Sequence, residues 1–157
     1  MRGRVLIVDD DPDSGALMAE ILALRDFDAQ CARTGQECLD QLARGTFDVV
    51  VTDVRMPEMS GIELCRALRE LHPDMLVIVF TGDISHAVAQ EALAAGAYDF
   101  LSKPVKIAVL DAVLVQAISL VQMRREVLRL RDSNAPPSPP TEQQAPANRT
   151  LQNAGTG

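Results

Sequence analysis

Apolar residues along this chain fall into two patterns that take turns: short unbroken runs, and longer stretches in which they recur every three or four positions. Unbroken runs read as strands buried on both faces, and the three-to-four spacing reads as amphipathic helix. Arg4–Val8, Asp48–Thr52 and Met75–Phe80 are the strong runs, with Asp28–Ala32 as a weaker second strand and Tyr98–Leu101 as a short fifth. The third run, Val49-Val50-Val51-Thr52-Asp53, ends on a carboxylate. An Asp is a poor strand residue and costly to bury, so Asp53 is expected where the strand meets solvent.

The helical stretches carry their own start and stop signals. Asp11 before Pro12 suits an N-cap followed by Pro at the first helical position, and Leu17, Met18, Ile21 and Leu22 follow at helical spacing. Thr34-Gly35 opens a second helix bearing Cys38, Leu39 and Leu42 and stopped by Gly45. Ser60-Gly61 opens a third with Leu64, Ala67, Leu68 and Leu71 on one face, closed by His72-Pro73. A fourth runs from about Ser85 to Ala95 with Val88, Ala92 and Leu93 inward and Gly96 as its stop, and a long final helix begins near Lys106. Strands and helices in strict alternation predict an α/β fold, a doubly wound five-stranded parallel sheet with helices on both faces. Crossover handedness alone leaves the strand order open.

Composition narrows the class. The 157 residues allow one domain with some extra length, and 47% hydrophobic residues suffice for a core built from Leu, Val, Ile and Ala, since Trp is absent. A net charge of −7 argues against nonspecific binding to nucleic acid or anionic membrane. No apolar run in the sequence reads as membrane-spanning, and a soluble cytoplasmic protein is expected. Cys31, Cys38 and Cys65 lie inside predicted elements without a CxxC spacing and read as reduced packing residues; His72 and His86 read as surface residues.

In such sheets ligands bind outside the carboxyl ends of the strands. There the sequence delivers Asp9 and Asp10 after the first strand, Asp53 at the end of the third, Thr81 after the fourth and Lys103 after the fifth. Clustered carboxylates repel, and either a proton or a hard divalent cation such as Mg²⁺ relieves them. A carboxylate beside Mg²⁺, a hydroxyl and an ammonium is a set of parts for phosphoryl transfer onto the carboxylate. Asp53 is the candidate nucleophile, Asp9 and Asp10 the candidate metal ligands, and Thr81 and Lys103 the groups facing the phosphoryl oxygens.

The motifs Val8-Asp9-Asp10-Asp11, Thr52-Asp53-Val54-Arg55-Met56-Pro57 with Gly61, Phe80-Thr81-Gly82 and Phe100-Leu101-Ser102-Lys103-Pro104, in this order, resemble those of a response-regulator receiver domain of two-component signalling. The resemblance implies that Asp53 accepts phosphate from a sensor histidine kinase, with no separate substrate beyond the domain's own phosphorylation and dephosphorylation. It implies Mg²⁺ held by Asp10 and Asp53, by Asp9 through water and by the backbone carbonyl of Arg55. It also implies a cis bond from Lys103 to Pro104 and a switch pairing Thr81 with Phe100. Arg55 and Asp83, each two residues past a reacting residue, are expected to pair over the site and tune dephosphorylation.

The expected receiver spans 4–123, a helical extension 124–132, and a disordered Pro-, Ser- and Gln-rich tail 133–157. Val109, Val113, Leu120, Met123, Val127 and Leu130 form a second apolar stripe at heptad-like spacing, interrupted by Gln116. Either one broad buried face frays after Met123, or Arg124 to Arg131 extends and pairs with another subunit as a short coiled coil. Three functional readings stay open: a stand-alone switch acting through a downstream protein partner, the receiver portion of a longer transcriptional activator, and an Mg²⁺-dependent phosphatase. Arg125–Arg131 resembles the linker start of nitrogen-regulator-type activators, whereas Arg55 stands where the phosphatase pattern has a second Asp.

Overall fold

The computed structural model describes residues 1–83 and 85–134. Five strands alternate with five helices: β1 Arg4–Val8, α1 Pro12–Ala23, β2 Asp28–Ala32, α2 Gly35–Arg44, β3 Val49–Asp53, α3 Gly61–Leu71, β4 Leu76–Thr81, α4 His86–Ala94, β5 Asp99–Ser102 and α5 Ile107–Asn134. The strands pair in parallel in the order β2-β1-β3-β4-β5, the flavodoxin-like arrangement. That order places β3 at the centre, bonded to β1 from Val49 to Thr52 and to β4 from Val49 to Asp53.

Successive residues of a strand face opposite sides of the sheet, so each buried run feeds two cores. Leu6, Val8, Val50, Val77 and Val79 pack with Cys38, Leu64, Cys65, Leu68 and Ala92 of α2, α3 and α4. Val5, Ile7, Val49, Val51, Ile78 and Phe80 pack with Leu22 of α1 and Leu110, Leu114, Ala117 and Ile118 of α5. Fully burying one such side chain is worth about 1.5–3 kcal/mol, so the two faces supply the main driving force for the fold.

The helix starts follow their capping residues. Asp11 accepts from the amides of Asp13 and Ser14, Thr34 from Glu37, and Ser60 with Glu63 closes a reciprocal capping box. Several boundaries shift by one residue from the sequence expectation. β3 starts at Val49, because the buried Asp48 side chain turns back to accept the Arg4 amide at 2.8 Å. Leu93, expected inward, is 55% exposed. Val88, Ala92 and Ala95 follow the i, i+4, i+7 stripe, and Leu93 lies one residue off it.

α5 continues as helix beyond Met123 to Asn134, so the stretch does not fray there, and Ser133 is still helical. Residues 135–157, where most of the expected disordered tail falls, lie outside the described residues. The sequence reading found no membrane-length apolar run, yet α5 is long and apolar enough to cross a bilayer. Part of that apolarity is used by the domain, which buries Leu110, Leu114, Ala117, Ile118 and Val121. Arg125 of the same helix reaches Asp48 at 2.6 Å and the Phe47 carbonyl at 2.7 Å.

Candidate functional site

The carboxyl edge of the sheet gathers the acids. Asp9 leaves β1 still paired, its amide donating to the Ala32 carbonyl at 3.0 Å. Asp9, Asp10 and Asp53 each offer one oxygen, and the three lie within 4.8 Å of one another. Lys103, just past β5, donates from Nζ to Asp53 Oδ2 at 2.6 Å. The neighbouring Asp11 belongs to the helix rather than the site. Backbone amides of Asp13 and Ser14 and the Ser14 hydroxyl hold its carboxyl below the usual range.

Burial pushes the Asp9 carboxyl up from its ordinary range. The Asp11 amide and Lys103 pull it back, and the charges of Asp53 and Asp10 add to the rise. Three carboxylates against one ammonium leave an excess of negative charge on oxygen ligands. That donor set fits a hard divalent cation such as Mg²⁺.

The backbone around Asp53 is tightly held. The Val54 amide donates to the Phe80 carbonyl at 2.9 Å, and the Gly61 amide returns to the Val54 carbonyl at 2.9 Å. Gly61 presses so closely on this turn that a Cβ there would overlap the Asp53 carbonyl oxygen. The Arg55 amide donates to Asp53 Oδ1 at 3.3 Å, which orients the carboxylate from its own loop. Met59 of the same loop fills the space beside Gly35 at the start of α2. Spacing alone gave no signal for this Met59–Gly35 seat, and Gly61 was visible only as part of the motif.

The remaining candidates take different positions. Thr81 ends β4 and is buried, with its hydroxyl donating to the Asp83 carbonyl at 3.0 Å and accepting from the Asp83 amide at 2.9 Å. Phe100 on β5 is half-buried against the core of the α2–α3–α4 face. The Lys103–Pro104 peptide is cis. Arg55 Nη2 and Asp83 Oδ2 stand 3.5 Å apart, bordering a cleft of about 370 Å³ with Asp53, Gly82 and Lys103.

Burial pushes the Cys38 and Cys65 thiols up to about 12, so both are inert packing groups. Burial, then the charges of Asp9 and Glu37, raises Cys31 as well. His72 caps the end of α3 and His86 is exposed, so neither joins the acid cluster.

Comparison with known proteins matches residues 5–115 to the family described as response regulator receiver domain. The chain is 39% identical over 119 residues to response regulator protein PilR of Pseudomonas aeruginosa, covering 76% of this chain and 27% of PilR. It is 34% identical over 130 residues to regulatory protein AtoC of Escherichia coli K12, covering 83% of this chain and 28% of AtoC. Among solved structures, NtrX from Brucella abortus superposes with a TM-score of 0.75 at 28% identity, over 83% of this chain and 30% of NtrX. The chain thus spans little more than a quarter of these longer regulators, and the nitrogen-regulator resemblance of its sequence has a counterpart among them. The sheet order, the acid cluster at its carboxyl edge and the match over 5–115 together place the chain in the response-regulator receiver domain family of two-component signalling.

Proposed function

We propose that Asp53 is the phosphoacceptor and that it takes its phosphoryl group from the phosphohistidine of a sensor kinase in an Mg²⁺-dependent reaction. The observation that carries this is the placement of Asp53 Oδ2 2.6 Å from Lys103 Nζ and within 4.8 Å of oxygens of Asp9 and Asp10. A carboxylate oxygen of Asp53 forms the new P–O bond as the donor P–N bond breaks, and the electron pair leaves with the imidazole. Lys103 shifts from the carboxylate to an equatorial phosphoryl oxygen, where a fixed cation is worth most as charge develops. Asp10 and Asp53, the Arg55 carbonyl and, through water, Asp9 would hold Mg²⁺, which would supply neutralisation of the phosphoryl charge.

The output is a change in binding. Thr81 moves toward the phosphoryl group, and Phe100 turns into the space it leaves, altering the surface read by a downstream protein or by a second copy through the last helix. The domain works on itself, catalysing its own phosphorylation and hydrolysis in a cytoplasmic setting, without direct contact with nucleic acid or membrane. The lengths of PilR and AtoC favour a second reading in which this receiver controls further domains of a transcriptional activator. Incubation with a small phosphodonor and Mg²⁺ tests the site. The expected result is one phosphoryl group by intact mass, lost on chelation of Mg²⁺ and absent in Asp53→Ala. Equal incorporation into Asp53→Ala overturns the assignment.

A further inference from the structure

Asp48, Thr52 and Thr81 are the buried polar side chains among the described residues. Asp48 holds Arg125 and the Arg4 amide, and Thr81 is bonded to Asp83. Thr52 is 0% exposed and stands one residue before Asp53 on β3. Alternation along a strand turns its side chain away from the face of the Asp53 carboxylate, to the side of Val50 and Val54 that packs against α2, α3 and α4. Its hydroxyl therefore reaches the site only through the backbone. A hydroxyl at that depth needs a partner.

The partner is the carbonyl of the next residue. Thr52 Oγ1 donates to the Asp53 carbonyl oxygen at 3.0 Å, and the Met56 sulfur at 4.0 Å is a weak second acceptor for the same single proton. The same peptide unit is held at its other end, where the Val54 amide donates to the Phe80 carbonyl at 2.9 Å. A peptide is planar, so bonds at both ends fix its tilt. The following unit hangs from it. Its Val54 carbonyl accepts from the Gly61 amide at 2.9 Å, and its Arg55 amide donates to Asp53 Oδ1 at 3.3 Å. Tilt of the first unit thus passes within one residue to the N–H that aims the carboxylate, whose other oxygen is held by Lys103 at 2.6 Å. A methyl group in place of the hydroxyl leaves no room for a water at this depth, and the Asp53 carbonyl loses the bond.

We propose that Thr52 is a positioning residue for phosphoryl transfer: its buried hydroxyl pins the Asp53–Val54 peptide and so sets the angle at which the Asp53 carboxylate meets the donor phosphorus. The inference rests on the reading of Asp53 as phosphoacceptor. Attack has to be roughly in line with the leaving group, so a small misdirection of the carboxylate costs rate. Thr52 carries no proton to or from the reaction and touches neither donor nor metal. Its contribution falls on the limiting rate and leaves donor affinity alone. Valine keeps the shape of threonine without the hydroxyl, and serine keeps the hydroxyl.

The test is phosphorylation by phosphoramidate at saturating Mg²⁺, followed by intact mass. Thr52→Val is expected to lower the limiting rate about tenfold while the half-saturating donor concentration changes by less than about twofold. Thr52→Ser returns the rate to within about twofold of wild type. In Thr52→Val, amide hydrogen exchange without donor or Mg²⁺ is expected to quicken at Val54 and Gly61 and not at Asp9, whose amide is bonded to Ala32 across the β1–β2 pair. Thr52→Ala, compared with Thr52→Ser, replaces the valine variant if that one does not fold. A wild-type limiting rate without the hydroxyl overturns the proposal, as does a serine variant as slow as valine or a loss confined to donor affinity. Exchange that quickens equally at Asp9 reads as general loosening and overturns it too. Asp53→Ala, run in parallel, tests the parent reading by itself. Silence there beside a wild-type rate in Thr52→Val removes the positioning role alone, and incorporation there removes the phosphoacceptor.

Discussion

Thr81 and Asp83 are locked to each other: the Thr81 hydroxyl donates to the Asp83 carbonyl at 3.0 Å and accepts from the Asp83 amide at 2.9 Å. A hydroxyl has one proton to give. To reach a phosphoryl oxygen, Thr81 must release Asp83. Asp83 in turn accepts from the Ser85 amide at 2.9 Å, and Ser85 caps α4 through Val88. Withdrawal of Thr81 therefore loosens the entry to α4, a helix with Ala92 as its one buried residue among those described.

The chain has no Trp, so Phe100→Trp installs a single fluorescent reporter beside this turn. Mg²⁺ with beryllofluoride is expected to shift its emission. Adding Thr81→Ala to that background is expected to remove the shift while Asp53 still takes phosphate, at a rate lowered by no more than about tenfold. An unchanged shift without the hydroxyl rules out Thr81 as the link.

Arg55 is 80% exposed and its 3.5 Å contact with Asp83 is a surface ion pair, which solvent screening leaves with little weight in stability. Arg55→Ala is therefore expected to leave the unfolding midpoint in denaturant almost unchanged. Its effect falls on access to the cleft over Asp53: the aspartyl-phosphate half-life shortens by about twofold or more. A half-life equal to wild type ends the idea that this pair shields the site.

Gly61 offers a stability test at the same place. A methyl group there collides with the Asp53 carbonyl oxygen, which is backbone and cannot rotate aside. Gly61→Ala is expected to cost about 2–4 kcal/mol in urea unfolding and to slow phosphorylation through displacement of Asp53. Gly82→Ala is the control, because nothing lies within 4 Å of a Cβ built there.

Asp11 predicts a pH dependence. Amides of Asp13 and Ser14 and the Ser14 hydroxyl lower its folded-state pKa from 3.8. Its contribution is fully present above the unfolded value and is lost as pH falls through the folded one. The stability gap between wild type and Asp11→Ala should be constant near neutrality and narrow below pH 3.8. A gap that widens on acidification contradicts the capping role.

Much of this was legible along the chain because strand burial and helix capping are local. Val49–Val51 announces a central strand wherever the chain places it, and Asp11, Thr34 and Ser60 cap within three residues of themselves. Convergence of Asp9, Asp10, Asp53 and Lys103 followed from the geometry of parallel sheets. Contacts that depend on rotamers or distant partners were not legible. The inward turn of the Thr81 hydroxyl, the seating of Met59 beside Gly35 and the clamp of Arg125 on Asp48, 77 residues away, have no local signal. β2 read weakly because it is an edge strand whose residues are mostly half-buried.

β3 joins the chemistry to the last helix along one covalent rod. Asp53 stands at its carboxyl end, and Asp48, which holds Arg125, immediately precedes its amino end, about 17 Å away at strand rise. Hydrogen-bonded on both sides and buried on both faces, this rod can neither stretch nor slide without breaking β1 and β4 away from it. It serves as the fixed frame of the domain, so any displacement on phosphorylation of Asp53 is expected in the Thr81–Asp83 turn and α4 beyond it, while β4 itself stays paired to β3.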